Sequence, residues 1–482
     1  MRNSSAVARA TRMAERVRGR MAGPRGGDPA EGQRRGRAAT GGTTAHDGSP
    51  RVVVVGGGFA GLGVLRHLEA RVPAGAADLE LVSPTDHLLY TSLLPQVCTG
   101  EVEPRHLAVS VRGALRRTVL RSGHAVDIDV AGRTVTVQGN DGSTSELRWD
   151  RLVLAPGSLT RTFDISGLAE HGLGLKNLAE AVYLRDHVLR QLEYADTCTD
   201  AAERRARCTF VVVGAGYTGT ELAAQMRRFS TDVLERFPRL TSDELRWILL
   251  DLAPRVLPEL DEALGAGAMK VLCERGVEVR LKTSVSKVTA DSITLDNGEI
   301  LPAHTLVWCA GITPNPLMEK VGTETVKGRL VVDEYFDVPG AAGVFALGDA
   351  AAVPDVTRDG APAGQTAQHA VRQGAAAGRN VAASLGYGTA RPYRHRGLGF
   401  VVDLGGTDAV ANPLGIRLSG LPAAAVTRAY HLLALGAGTN RAHVAADWLL
   451  AAAVPEQVVQ LGFMPPPKAT ITEIEDSYLY SG

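Results

Sequence analysis

The chain has no C-x-x-C pair: its five cysteines, Cys98, Cys198, Cys208, Cys273 and Cys309, are dispersed. An odd, scattered set fits neither a disulfide framework nor a four-thiolate zinc or iron–sulfur site, so any redox chemistry belongs to a bound cofactor. No stretch of 18 uninterrupted apolar residues exists, which argues against a spanning helix. No excess of one charge exists either, with 52 basic against 52 acidic side chains. Gly and Pro together (54 and 24 of 482) stay below low-complexity levels, which excludes collagen and whole-chain disorder.

What is present is an ordinary globular composition, 45% apolar and 22% charged, over a length that suggests about three domains. The neutral total hides an asymmetry. Residues 1–50 hold ten arginines against four acids, about +6, which leaves about −6 for the rest. That segment has no apolar h-region and too little apolar surface to offset ordering entropy, so it reads as a disordered basic tail. From Arg51 the pattern changes to strand, glycine turn and helix: Arg51 to Val55, then glycines, then Leu62, Leu65 and Leu68. A second such unit runs from Thr209 to Met226, and short apolar strands follow at Arg151–Leu154, Leu306–Cys309 and Gly343–Leu347. Alternation of this kind predicts an α/β fold of parallel sheets with helices on both faces. Beyond about residue 406 two helical patterns remain, Leu421–Leu435 and Arg441–Leu461.

Gly56-Gly57-Gly58-Phe59-Ala60-Gly61 matches G-x-G-x-x-G directly after a buried strand and opening a helix, and Gly214-Ala215-Gly216-Tyr217-Thr218-Gly219 repeats it. The first glycine permits the tight turn and the second lets a pyrophosphate approach the backbone. The third lets helix and strand pack closely, with the helix N-terminus facing the phosphates. Two correctly flanked copies predict two Rossmann-like dinucleotide sites. The acid expected at the end of each second strand is replaced by Ser83 in the first unit, with Asp86 nearby as a substitute. In the second unit the strand Trp247–Leu250 ends in Asp251, placed to accept from an adenosine 2′-hydroxyl and to repel a 2′-phosphate. NADH is therefore expected over NADPH; the bland alternatives are a strand-ending turn at Ser83-Pro84 and an ordinary strand-end acid at Asp251.

With these segments the chain resembles the pyridine-nucleotide:disulfide oxidoreductase superfamily, and more closely type II NADH dehydrogenase, the single-subunit NADH:quinone oxidoreductase. The resemblance covers roughly residues 51–405. It rests also on Leu88–Val97, Leu152–Ser158, Leu175–Leu178, Val307–Gly311, Val344–Asp349 and Ala367–Ala370. It implies an FAD domain in two parts (51–165 and 309–405) split by an inserted NADH domain (166–308), then a C-terminal helical module (406–482) for a membrane or a dimer. FAD is then expected at Gly56, Gly58, Phe59, Ala60, Gly61, Ser83, Gly157, Gly348, Asp349 and Gln368, with Asp349 on the ribityl chain. NADH is expected at Gly214, Gly216, Tyr217, Thr218, Gly219, Asp251 and Gly311. The implied reaction is hydride transfer from nicotinamide to flavin, then two-electron reduction of a quinone. Glu221 and Gln368 match family residues beside the reacting rings and are the catalytic candidates; no metal is implied. For Glu221 the alternative is a first-turn acid complementing the helix dipole.

Among the thiols, Cys98 is expected nearest the flavin and Cys309 to be an inert core cysteine on a buried strand. Leu65 stands where a small residue often lets helix meet strand, so the first unit is expected to pack more loosely than the second, which has Ala223 there. Residues 421–482 carry Arg428, Arg441 and Lys468 against Asp447, Glu456, Glu473, Glu475 and Asp476, a poor charge for anionic lipid. Trp448, Leu449, Leu450, Val454, Val458, Val459 and Leu461 form an apolar stripe that reads as core, dimer interface or membrane face. The resemblance implies a cytoplasmic protein peripheral on the inner face of the cell membrane, with a quinone as acceptor and a homodimer open. Nucleic acid is not an expected partner. Two other readings stay open: a soluble NAD(P)H-dependent reductase for another acceptor, and a cofactor-loaded redox sensor or binding module.

Overall fold

The computed structural model describes residues 48–357, 360–395, 397–455 and 457–474; most of the basic tail, together with Glu456, Glu475 and Asp476, lies outside them. β1 (Arg51–Val55) is a valine run with Val52, Val53 and Val54 wholly buried, the mark of a central parallel strand covered on both faces. The glycine turn leads into α1 (Phe59–Arg71) and β2 (Asp78–Ser83). A short helix α2 (Leu94–Thr99) precedes β3 (Val119–Asp129), β4 (Thr134–Gly139), β5 (Thr144–Arg148) and β6 (Arg151–Leu154). The second unit comprises α3 (Leu178–Thr197), β7 (Thr209–Val213), α4 (Tyr217–Asp232), β8 (Arg246–Asp251), α5 (Glu262–Glu274), β9 (Val277–Leu281) and β10 (Thr305–Trp308). The chain then returns to the first sheet with β11 (Val344–Ala346) and α6 (Ala367–Ser384). It ends with β12 (Val401–Asp403), β13 (Ala409–Ala411), β14 (Leu418–Ser419), α7 (Gly420–Ala434) and α8 (Gly438–Ala453).

The first sheet has the order β11-β6-β1-β2-β3-β4-β5, parallel from β11 to β3 and antiparallel beyond. The second is wholly parallel in the order β9-β8-β7-β10. In each, the strand that carries the glycine loop lies between its sequence neighbour and a strand that arrives later. That is the topological switch point, where the crevice off the carboxyl ends receives a ligand. The α/β class with two Rossmann-like sheets is as the sequence predicts.

α1 and α6 cross at a glycine seam. A Cβ on Gly374 would lie 2.6 Å from the Ala60 carbonyl oxygen, and one on Gly378 would lie 2.7 Å from the His67 Cβ. Leu65, like Ala223 in the second unit, is wholly buried. Close approach is supplied instead by Gly61, whose added Cβ would overlap the Gly56 carbonyl oxygen, and Gly219 stands in the same relation to Gly214.

The C-terminal region differs from its sequence reading in two ways. β13 and β14 lie beyond residue 406, where strand signals fade because Ala409 and Ala411 carry no β-branched side chain. The last helix stops at Ala453 instead of running to Leu461. Pro455 disfavours helical backbone at Val454, which is extended at φ −131° and ψ 135°.

Candidate active site

Both glycine loops have the geometry that phosphate binding needs. Gly56 and Gly214 have φ of +104° and +107°, a left-handed region open to glycine. A Cβ on Gly214 would press on the Cys309 carbonyl at 2.8 Å, and one on Gly56 would overlap that of Ala155. Gly58 and Gly216, by contrast, face open space, with nothing within 4 Å of an added Cβ. They are also the N-cap residues of α1 and α4, and neither helix has a side-chain cap. Two helix N-termini with unclaimed N–H groups and a vacant approach suit the pyrophosphate groups of two dinucleotides.

The strand-end residues behave differently from each other. Ser83 is buried at the end of β2, directly behind the first loop, where a Cβ on Gly57 would meet its Oγ at 2.7 Å. The substitute considered for it, Asp86, has a side chain 75% exposed and hydrogen-bonded to its neighbour His87, outside the cavity wall. Asp251 is at the end of β8 as expected, with Oδ2 accepting from the Ala215 N–H of the second loop and Oδ1 from that of Ala253 at 2.7 Å.

Residues of both glycine motifs line one cavity of about 970 Å³. Its wall includes Gly56, Gly58, Phe59, Ala60, Ser83, Gly157, Gly348, Asp349 and Gln368 from the first unit and its return segment, and Tyr217, Thr218, Glu221 and Gly311 from the second. Gly61, Gly214, Gly216, Gly219 and Asp251 are not in that wall; they shape the loops behind it. Asp349 accepts from Ser158 Oγ at 2.8 Å, and Lys176 Nζ donates to the same hydroxyl at 3.2 Å. Lys176 is held in turn by the N-terminus of α3, where Asn177 and Glu180 form a reciprocal capping box and Glu180 also accepts from the Lys176 N–H. Gln368, in the first turn of α6, donates through Nε2 to the Gly399 carbonyl at 3.0 Å. Ser158, Lys176 and Gln373, whose Oε1 accepts from the Gly348 N–H at 2.7 Å, are supports that periodicity does not reveal.

Glu221 is not a first-turn acid at a helix end. It is the fifth residue of α4, 8% exposed, with Oε1 accepting from the Asp403 N–H at 2.8 Å. Burial pushes its carboxyl well above the usual range, and the Asp403 charge adds to that. Nearby, Tyr90 and His431 pair through Oη and Nδ1 at 3.0 Å, both in the cavity wall. Burial holds the His431 imidazole neutral, at about 4, and its Nε2 has no hydrogen-bond partner. Tyr90 and His431 are 341 residues apart, so spacing gives no hint of the pair.

The thiols exchange places relative to expectation. Cys98 is wholly buried in the core formed by α2, α3 and α4 and is absent from the cavity wall. Cys309 lies one residue beyond the end of β10, partly exposed, and does line the cavity. Its thiol is pushed up to about 12 by burial, so it stays protonated and is a poor nucleophile. Among the described residues no group of acids, histidines and cysteines is arranged to hold a metal.

The apolar stripe is only partly core. Leu449, Leu450, Val454, Val459 and Leu461 are 49–72% exposed, whereas Val458 and Trp448 pack against the core, with Trp448 Nε1 donating to Gln96 Oε1 at 2.7 Å. No helix among the described residues is long and apolar enough to cross a membrane.

Two Rossmann-like units facing one cavity define a two-dinucleotide oxidoreductase, and comparison with known proteins gives the same class. The sequence profile of the pyridine nucleotide-disulphide oxidoreductases matches residues 50–374. The type II NADH:quinone oxidoreductase NdhA of Mycobacterium tuberculosis is 36% identical over 332 residues, covering 66% of this chain and 70% of that one. The mitochondrial internal alternative NAD(P)H-ubiquinone oxidoreductase A1 of Solanum tuberosum is 29% identical over 442 residues, 84% of this chain and 87% of that one. A solved structure of NDH2 from Plasmodium falciparum in complex with NADH superposes with a TM-score of 0.79 at 17% identity, covering 85% of this chain and all of that one. The chain belongs to the pyridine nucleotide-disulphide oxidoreductases and, within them, to the type II NADH:quinone oxidoreductases.

Proposed function

We propose that the protein oxidises NADH and passes two electrons through FAD to a quinone. One observation carries this reading: residues of both glycine motifs, Gly56 to Ala60 and Tyr217 with Thr218, line the same cavity as the buried Glu221. When bound, the flavin supplies the hydride- and electron-transfer chemistry. What the chain supplies is position. Residues 51–165 and 309–405 hold FAD, with the N-terminus of α1 at the pyrophosphate, Ser83 toward the adenosine ribose and Asp349 toward the ribityl hydroxyls. Residues 166–308 hold NADH, with the N-terminus of α4 at its pyrophosphate and Asp251 toward its adenosine ribose. Holding the two rings in contact makes transfer effectively unimolecular, a proximity effect of about 7–11 kcal/mol. Gln368 and Glu221 face the reacting end, and Glu221, held protonated by burial, is the proton donor to quinone oxygen.

α7 carries exposed apolar residues, and its Leu433 lines the cavity together with the exposed Leu398 and Phe400. A lipid-soluble acceptor enters where that face meets the membrane, and residues 406–482 serve as a peripheral attachment at the inner face of the cell membrane. The experiment that tests the function is an anaerobic absorbance titration with NADH followed by one addition of a soluble quinone. Prompt bleaching and prompt recovery of the flavin spectrum are expected. Bleaching without recovery would assign a different acceptor, and a protein that retains no flavin would remove the reading altogether.

A further inference from the structure

Glu221 lines the large cavity on one side, but behind it lies a second, smaller space. This pocket, of about 270 Å³, sits between α2, α4 and the segment after α8, with Glu101, Gln225, Arg228 and Gly405 in its wall. Asp403, the last residue of β12 and 6% exposed, separates the two cavities. Its N–H donates to Glu221 Oε1 at 2.8 Å. Its Oδ1 accepts from the Gly405 N–H at 2.8 Å, and its carbonyl accepts from Gln225 Nε2 at 2.8 Å. Gly405 and Gln225 thus touch Asp403 and line the smaller pocket at once, so the partition is a single layer of residues.

The remaining oxygen of Asp403, Oδ2, accepts from Gln96 Nε2 at 2.7 Å, and among the described residues Asp403 makes no ion pair. A buried carboxyl with only neutral donors is costly as an anion and is favoured as the acid. Burial raises Glu101, Asp403 and Glu221 alike, and Asp403 sits close enough to push up the other two. The charged groups facing this row are Arg228 on α4, 3.5 Å from Glu101, with Arg275 after α5 and Arg428 on α7 farther off; the Tyr90 and Tyr217 phenols flank Glu221.

We propose that the proton consumed at the active site enters through the smaller pocket, passing from Glu101 to Asp403 and on to Glu221, directly or through single waters. The inference rests on the NADH:quinone reading. In that reaction NADH, one proton and quinone give NAD⁺ and quinol; the hydride brings both electrons and one hydrogen nucleus, so one proton per turnover comes from solvent. A polar pocket of this size holds water, and Asp403 stands between it and Glu221, which lines the cavity where the quinone oxygens take up protons. The smaller pocket and the large cavity share no wall residue, so an acceptor bound in the large cavity leaves the smaller pocket open. Glu101 and Asp403 act through Glu221 and are positioning residues.

The test compares two acceptors in the full-length flavoprotein: a soluble quinone, which needs protons, and ferricyanide, which takes electrons alone. Glu101→Gln and Asp403→Asn are expected to lower quinone turnover by on the order of 10- to 100-fold. The solvent deuterium isotope effect should rise and the alkaline limb of the pH profile should move, with ferricyanide reduction at the parent rate. Asp403→Glu should restore quinone turnover. If both acceptors slow together, the residues serve the fold or NADH binding and the relay is wrong; it is equally wrong if neither acceptor slows. Should Asp403→Asn lose its flavin, Glu101→Gln at the pocket wall decides alone. An unmodified protein that reduces ferricyanide but never quinone would overturn the functional reading itself, which is a separate outcome.

Discussion

At the scale of single residues, the roles proposed for Asp251 and Glu221 can each be tested by one substitution. The Asp251 carboxylate supports the second glycine loop through the Ala215 N–H, and the same group is proposed to accept a ribose hydroxyl. Replacing it with alanine removes one charge-assisted hydrogen bond and the repulsion of a 2′-phosphate. Such a bond is worth about 1.5–3 kcal/mol, so Asp251→Ala should narrow the ratio of kcat/KM for NADH over NADPH by about tenfold or more. An unchanged ratio in steady-state kinetics would restrict Asp251 to loop support. For Glu221 the consequence is a pH-dependent stability. A carboxyl raised by burial binds its proton more tightly in the native than in the unfolded chain. Its contribution is therefore constant below the unfolded value of about 4.3 and becomes a growing penalty as pH rises from there toward the folded value. Calorimetry of Glu221→Gln beside the parent should show the variant gaining in relative Tm as pH is raised through that window; a difference independent of pH would contradict it. Little of this was legible beforehand. Glu221 stands out in the sequence by its place two residues after a glycine motif and its match to a family glutamate, but its burial does not, and Asp403, His431 and Tyr90 carry no pattern that spacing detects.

At the level of elements, the strand–turn–helix unit separates folding from binding within a few residues. Gly61 is needed by the fold, because its side-chain position is occupied by the Gly56 carbonyl oxygen. Gly58 has open space beside it, so an added methyl offends no protein atom and intrudes only on the phosphate approach. Gly58→Ala should therefore leave the melting of flavin-free protein nearly unchanged while weakening flavin retention, measured by dilution and ultrafiltration. Gly374→Ala should do the reverse. Its Cβ would meet the Ala60 carbonyl at 2.6 Å, and prising α1 from α6 should cost about 1–3 kcal/mol, read as a lowered Tm with the bound flavin still fluorescing as in the parent. The strands and helices of both units were visible in the sequence because β-branched runs and glycine turns are local signals. The crossing of α1 with α6 was not, because Gly63 and Gly374 are distant in the chain and a glycine in a helix reads locally as a weakness.

For the whole molecule, the exposed leucines of α7 and α8 are the surface on which the proposed attachment to lipid can be tested. Leu449→Glu combined with Leu450→Glu should abolish co-sedimentation with anionic vesicles and leave turnover of a soluble quinone within about twofold, since surface substitutions away from special features cost under about 0.5 kcal/mol. Retained co-sedimentation would place the contact elsewhere. Dimer dissociation in the same variant, followed by ultracentrifugation, would reassign the face to a second copy. The sequence showed this stripe without showing its partner: apolar residues at helical spacing look alike whether they face a core, another protein or lipid, and exposure is settled only by what packs on either side.

Taken alone, the sequence determined the two parallel α/β units, the pair of phosphate-binding loops and the class of cofactor, because each is encoded within a few consecutive residues whose backbone demands only glycine meets. Tertiary structure alone decided which thiol reaches the cavity and which acid becomes buried. Cys309 follows the last residue of β10 into the open crevice while Cys98 turns into the core, and Glu221 is covered by a β-strand 182 residues later in the chain. Burial and the company a side chain keeps are set by contacts between distant segments, and no local pattern records them.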